Sequence, residues 1–364
     1  MYQYLLQSGR RESTVATYMT GLNNFIYFLQ INLLLVESSL VPECLAIPDV
    51  TPTIFGHYLA WMFQVMYSFN TIRTYTTAVK MWCRAHHRPN PTLDIGTTQI
   101  DIACADVWQA IKRLSKPSQS RFAVTFQQLQ DVCISCQSAN AITPAIGRNV
   151  AAAACLAWYG LLRGSEYTAP PAPKFDPTLH ACRGDVRIVL DTNGHPHYMQ
   201  FTVKNCKTDN IDRRGFVSTI YRSETDPACA VMRMHALFEA DPQPPSTPLF
   251  RFNEPELGVV GAQPRPRDSS HRTLTTIFSR LLLINGYKDE NVSSHSFRRG
   301  GATALFRSGA SEYMVMQAGR WRSSCWQFYV EHDHTYFHSF AQQMSASTPI
   351  AGVRWDAETV PTFA

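Results

Sequence analysis

The sequence predicts a mainly α-helical chain of two domains with a small β-hairpin inserted in the second. Three observations carry this. Apolar residues recur at helical spacing behind capped starts between Ser13 and Trp82. The segment Lys112-Arg-Leu-Ser-Lys-Pro-Ser-Gln-Ser-Arg121 is polar, basic and broken by Pro117, as a linker would be. Between Val186 and Val203 the period changes from helical to alternating. A length of 364 residues is enough for two ordinary domains with a sizeable core. The expected boundaries are 1–116 for an amino-terminal helical domain, 122–345 for a larger mixed domain and 346–364 for a tail.

The elements follow in order. From Ser13, the residues Val15, Tyr18, Met19, Leu22, Phe25, Ile26 and Leu29 mark one helical face. Thr51-Pro52 reads as a cap followed by proline at the first helical position. Asn70 is expected to cap a third helix carrying Ile72, Tyr75, Val79 and Trp82. Ser13-Thr-Val-Ala-Thr-Tyr18 echoes Asn70-Thr-Ile-Arg-Thr-Tyr75, which two similarly started helices explain without a repeat architecture. Thr125-Phe-Gln-Gln128 reads as a capping box, and Ala151 to Leu162 as a core helix apolar on nearly all sides. Val186–Leu190 and His197–Val203 are strands joined by the turn Asp191-Thr-Asn-Gly194. Asp241 to Pro248 and Asn253 to Ser270 are irregular, and helices resume near Thr273.

Composition excludes several classes. With 45% hydrophobic and 17% charged residues the chain belongs with globular proteins, not disordered ones. No apolar run reaches membrane-spanning length, and Met1 to Gln7 lacks the pattern of a secretory signal. Of ten cysteines only Cys133-Ile-Ser-Cys136 has a metal-like spacing, with no second pair to complete a zinc site, so reduced intracellular thiols are expected. A net charge of +5 is compatible with a nucleic-acid partner without demonstrating one.

Four segments could carry chemistry. In Ser294-His-Ser-Phe-Arg-Arg-Gly-Gly301, His295 and Arg298 stand three apart and share a helical face, offering an imidazole and a bidentate guanidinium to one phosphate. Gly300 and Gly301 cost roughly 1 kcal/mol each in a helix, which implies close backbone packing. In Leu161-Leu-Arg-Gly-Ser-Glu166, Arg163 stands where a helix should end and could turn into a cleft, with Glu166 as its buttress or merely solvated. Lys204-Asn-Cys-Lys207 follows the second strand, where either lysine could act as a general acid. In Gly319-Arg-Trp-Arg-Ser-Ser-Cys-Trp-Gln-Phe-Tyr329, Ser323 or Ser324 can cap a short helix ending near Tyr329, and Trp321 brings an indole donor. Each segment alone also reads as ordinary core or surface. A metal reading of His332, His334 and His338 lacks a standard ligand spacing.

The order Arg163, Lys207, His295-x-x-Arg298, Trp321, Tyr329 resembles the catalytic order of the tyrosine recombinases, or phage-integrase family. The likeness extends over Leu-Leu-Arg163-Gly-Ser-Glu, Cys-Lys207-Thr-Asp, His295-Ser-Phe-Arg298-Arg-Gly-Gly-Ala-Thr and Gly-Arg-Trp321, and to the two echoing segments of the amino half. Tryptophan in place of the commoner histidine, and a shortened gap to Tyr329, are similar to the Crypton and DIRS-type recombinases of eukaryotic mobile elements. The shortened gap keeps Tyr336 open as a second nucleophile.

The resemblance implies a helical core-binding domain followed by a mixed catalytic domain. It implies double-stranded DNA as partner, four protomers on two duplexes, and Phe337–Ala364 docking on a neighbour. It implies Tyr329 as nucleophile, Arg163, His295 and Arg298 on the scissile phosphate, Trp321 beside it, Lys207 as general acid, and no cofactor or metal. The expected compartment is the nucleus for a eukaryotic mobile element and the cytoplasm otherwise. Type IB topoisomerase-like relaxation and an idle, domesticated DNA-binding protein are the alternatives.

Overall fold

A computed structural model of the chain describes residues 12–37, 45–94, 96–116, 122–138, 141–170, 174–204, 215–223, 227–251, 270–288 and 291–331. The chain divides into two compact units, Met1–Gln119 and Ser120–Ala364. The described elements are mainly helices, with a two-stranded and a three-stranded sheet.

The first unit holds α1 (Glu12–Ile31), a two-residue antiparallel pair β1 (Val36–Glu37) and β2 (Leu45–Ala46), α2 (Pro52–Gln64), α3 (Phe69–Ala85) and α4 (Ile102–Leu114). Helix α1 packs on α3 and α2 on α4. Gly21 makes the first contact close, since a Cβ there would stand 3.0 Å from the Cα of Tyr75. Phe25, Phe28 and Leu29 of α1 enter the core, whereas Met19 of the expected apolar face is 52% exposed. Thr51 caps α2 as expected, accepting from the Ile54 amide at 3.3 Å. The cap of α3 is Ser68 and not Asn70; the Ser68 hydroxyl accepts from the Thr71 amide at 3.2 Å, and Asn70 lies inside the first turn. Helix α4 had no counterpart among the sequence expectations. Asp101 caps it, and it runs through Lys112 and Arg113, so the start of the expected linker is helical. Residues 117–121 of that linker lie outside the described residues.

The second unit is built around α6 (Pro144–Tyr159), in which every residue from Asn149 to Trp158 is buried. Its alanine run presents little bulk, and α5 (Phe126–Ser135), α8 (Ala230–Ala240), α9 (His271–Ile284) and α10 (Ser294–Arg307) all pack on it. Both halves of the Thr125–Gln128 capping box form at the start of α5. After the short helix α7 (Gly164–Tyr167), strands β3 (Val186–Leu190), β4 (Pro196–Val203) and β5 (Phe216–Tyr221) make an antiparallel sheet in that order. Met199, Phe201 and Val203 of β4 are buried, with α8 packed on β4 and β5. The turn at Asp191–Gly194 forms as expected, with Gly194 at φ 81° and the Asp191 carboxylate accepting two amides at 2.8 Å. Strand β5 is an addition to the expected hairpin. Residues 241–248 are irregular, and the second stretch expected to be irregular, Asn253 to Ser270, lies outside the described residues except for Ser270.

Helix α10 lies hard against α6. A Cβ on Gly300 would stand 1.8 Å from the Val124 carbonyl oxygen, and one on Gly301 2.1 Å from the Trp158 carbonyl oxygen. Only hydrogen fits at either place, which is the close backbone packing the two glycines imply. Helix α11 (Glu312–Gly319) and a 3-10 turn (Ser324–Phe328) are the last described elements and bring the chain back across α10.

Candidate active site

Helix α6 ends at Tyr159, four residues before Arg163, and Leu161 takes a left-handed φ of 46°. This turn delivers Arg163 as the cap of α7, not as the end of α6. Glu166 folds back upon it. One carboxylate oxygen accepts from the Arg163 amide at 2.9 Å and the other from its guanidinium at 2.9 Å. Arg320, from far along the chain, donates to the same carboxylate at 2.6 Å. The Glu166 side chain is 1% exposed, so it is the buttress and not a solvated charge. Burial pushes its carboxyl upward, but Arg320 and Arg163 outweigh that and hold it below the ordinary glutamate range.

His295 and Arg298 both stand on α10. Arg298 is fully buried. It donates to the carbonyl of Leu161 and, at 2.5 Å, to that of Gly319. The Trp321 ring covers it at 4.3 Å and the Tyr329 ring at 5.3 Å, both within cation–π range. Burial, with the neighbouring Arg163 and Arg320, lowers its pKa to about 10, and Glu166 and Tyr329 pull the other way. The guanidinium is therefore still charged at neutral pH. Gly319 makes room for Trp321, since a Cβ there would overlap the indole. The indole N–H of Trp321 and the Nε–H of Arg298 are buried with no acceptor among the described residues.

Tyr329 ends the 3-10 turn that Ser323 begins, although no serine side-chain bond caps it. It is half-buried, its ring 5.0 Å from Trp321 and stacked 6.4 Å from the His295 imidazole. Its segment is strapped to α10. Arg299 donates to the Phe328 carbonyl at 2.5 Å and to the Glu331 carboxylate at 3.1 Å. The Thr303 hydroxyl lies 3.4 Å from the Tyr329 carbonyl and accepts the Glu331 amide at 3.0 Å. Arg307 reaches the Glu331 carbonyl at 3.3 Å.

Five of the six expected side chains thus meet around one place: Arg163, His295, Arg298, Trp321 and Tyr329. The sixth, Lys207, lies outside the described residues, as do Tyr336, the histidines 332, 334 and 338, and the segment Phe337–Ala364. Its competitor Lys204 is engaged elsewhere, paired with Asp185 at 2.7 Å and donating to the Pro177 carbonyl at 2.7 Å. Sequence reasoning missed Arg299, Thr303 and Arg320. The doubled arginine of Phe-Arg-Arg-Gly and the Gly-Arg-Trp triplet held the signal for two of them.

No protein-family model and no curated protein matches the sequence. Several solved structures do match the fold. The XerH site-specific recombinase bound to palindromic difH substrate, in its post-cleavage complex, is 14% identical with a TM-score of 0.55, over 91% of this chain and 80% of that one. A lambda integrase dimer bound to a COC′ core site is 13% identical with a TM-score of 0.52, over 91% and 93%. The Tn1549 transposon integrase in complex with transposon right-end DNA is 16% identical with a TM-score of 0.51, over 95% and 98%. At such identities the likeness is one of fold, extends over nearly the whole chain, and gives this protein the fold of the tyrosine recombinases.

Proposed function

We propose that the chain is a tyrosine site-specific recombinase that cuts and rejoins double-stranded DNA, with Tyr329 as its nucleophile. The observation that carries this is the placement of the Tyr329 phenol over the buried Arg298 guanidinium, between His295 and Trp321. A phenol ordinarily titrates near pH 10 and attacks poorly unless cations stabilise the developing phenolate. Here the cations are built in.

Tyr329 Oη would attack the scissile phosphorus, its proton passing to solvent, while the bond to the 5′ oxygen breaks. A 3′-phosphotyrosyl bond forms, and the departing 5′ oxygen takes a proton from Lys207. Arg163, His295 and Arg298 would bear the charge of the pentavalent transition state, with the Trp321 indole, which has no acceptor among the described residues, as a further donor. The rings of Trp321 and Tyr329 now cover the Arg298 guanidinium, so engaging a phosphate requires Tyr329 to swing aside into line. The phosphotyrosine conserves the ester bond, and rejoining needs no nucleotide. Protein cations would serve where other enzymes use a metal. Four protomers on two duplexes, a Crypton or DIRS-type mobile element as the source, and the nucleus as the compartment complete the proposal.

The test uses nicked suicide duplexes, which lose the 5′-hydroxyl fragment by diffusion and so trap the covalent protein. Tyr329→Phe should bind DNA as the parent does and form no adduct. An adduct that survives Tyr329→Phe and disappears with Tyr336→Phe would remove the role from Tyr329. Plasmid relaxation without strand exchange would favour a topoisomerase, and binding without any adduct an idle DNA-binding protein.

A further inference from the structure

We infer that Arg320 is a positioning residue that sets Arg163 for catalysis, an inference that rests on the recombinase reading of the site. Arg320 occupies the left-handed region at φ 58° and ψ 39°, a conformation unfavourable for a side chain of its size. Such strain persists only where the surroundings over-determine it. The surroundings here are specific. Its Nη1 donates to the Gly160 carbonyl at 3.2 Å, and its Nη2 to the Leu161 carbonyl at 3.3 Å and the Glu166 carboxylate at 2.6 Å. The guanidinium also lies 5.2 Å from the ring of Phe216, the first residue of β5.

These contacts join separate parts of the site. Glu166 is the carboxylate that holds both the amide and the guanidinium of Arg163. Leu161 is the carbonyl that Arg298 also grips. The backbone of Arg320 leads directly into Trp321. One guanidinium therefore ties the turn bearing Arg163 to the segment that carries Trp321 and Tyr329. Without it, Glu166 still holds Arg163 in an ion pair and can draw that side chain inward, away from a phosphate. Lysine could pair with Glu166, but a single ammonium cannot also hold two carbonyls in a planar fork.

The experiment turns on this dependence. A pool of nicked duplexes randomised around the nick is offered to the wild-type protein, and the captured adducts define one preferred duplex. That duplex is then made with either an ordinary phosphodiester or a neutral methylphosphonate at the cleaved position. The variant is Arg320→Asn, because asparagine tolerates the left-handed backbone and preserves the local fold. Its affinity for the duplex should stay within about twofold of wild type, while adduct formation on the phosphodiester falls by about 10²-fold, the scale of a misplaced catalytic group. A neutral phosphorus centre needs less cationic neutralisation, so the methylphosphonate should restore both Arg320→Asn and Arg163→Ala. Arg320→Lys should fall between Arg320→Asn and wild type. Wild-type rates for Arg320→Asn on the phosphodiester would overturn the inference. So would a defect that the methylphosphonate leaves in Arg320→Asn but relieves in Arg163→Ala. No wild-type adduct from the pool would sink the recombinase reading itself, a different result from an adduct that Arg320→Asn leaves unchanged.

Discussion

Gly300→Ala should destabilise the second unit, although alanine normally improves a helix. The intrinsic propensity gain is about 1 kcal/mol. Against it, the new Cβ would sit 1.8 Å from the Val124 carbonyl oxygen and 2.9 Å from the Trp158 indole nitrogen. Restoring ordinary contact requires the backbones to part by more than about 1 Å, and overpacking of this kind costs about 1–3 kcal/mol. The same oxygen accepts the Trp158 indole N–H at 3.1 Å, a buried bond that the displacement stretches. Leaving those groups unsatisfied costs about another 1–3 kcal/mol. The balance is a loss near 3 kcal/mol, or roughly 6–12 °C in Tm for a unit of this size. The assay is thermal unfolding of the full chain, with Gly56→Ala as control. A Cβ on Gly56 would meet nothing within 4 Å, so that change should stabilise by about 0.5–1 kcal/mol. A Gly300→Ala protein as stable as its parent would refute the packing argument. Because Arg298 lies two residues away on the same helix, adduct formation should fall as well.

A duplex with a 5′-bridging sulfur at the scissile phosphate supplies a leaving group that needs no proton, so it should rescue Lys207→Ala and not Arg298→Ala; rescue of Lys204→Ala instead would move the acid role. Cleavage should survive excess EDTA, and a complete loss that magnesium restores would argue for a metal mechanism. Arg163→Met should leave stability within about 1 kcal/mol of the parent while abolishing adduct formation, because Glu166 keeps Arg320 as its partner. Glu166→Gln should cost about 3–5 kcal/mol in denaturant unfolding, and the reverse order of stability would contradict this electrostatic account.

What was legible in the sequence is local. Thr51 and Thr125 announce their helices because a cap bonds within its own first turn. Ser68 and Asn70 are both good caps two residues apart, and only the traced chain decides between them. Helix α4 was missed because its apolar stripe is thin: Ile102 and Leu114 are 78% and 69% exposed, and Ile111 is its one buried aliphatic side chain. Strand β5 buries Ser218 and Ile220 and leaves Phe216, Val217 and Tyr221 exposed, so apolar character along it does not report burial. At the site, the spacing of His295 and Arg298 on one helix could be read directly. The pairing of Arg320 with Glu166 joins positions 154 residues apart, and no periodicity encodes it. Nor does an arginine in a polar stretch announce that it is fully buried, as Arg298 is.

That burial bears on how the site stores its chemistry. Three guanidinium groups, of Arg163, Arg298 and Arg320, gather around the single carboxylate of Glu166. Among the described residues Arg298 pairs with no carboxylate of its own; two carbonyls and two aromatic rings hold it. Carbonyl dipoles and ring faces ease the desolvation of a cation without cancelling its charge, so the cluster keeps a positive surplus in a poorly solvated place. A structure optimised only for stability would replace such a group with apolar bulk. The depressed pKa of Arg298 records that cost: burial is its largest cause, and only the further part, repulsion by Arg163 and Arg320, would become attraction for an anion entering the cluster. A phosphodiester gains negative charge on its equatorial oxygens as a nucleophile approaches, so under the proposed function the surplus would act more strongly on the transition state than on the bound substrate. The rings of Trp321 and Tyr329 then serve a second purpose while no phosphate is present. They occupy the face of the guanidinium, and under the proposed function the phenol that covers the charge would be the group that the charge activates.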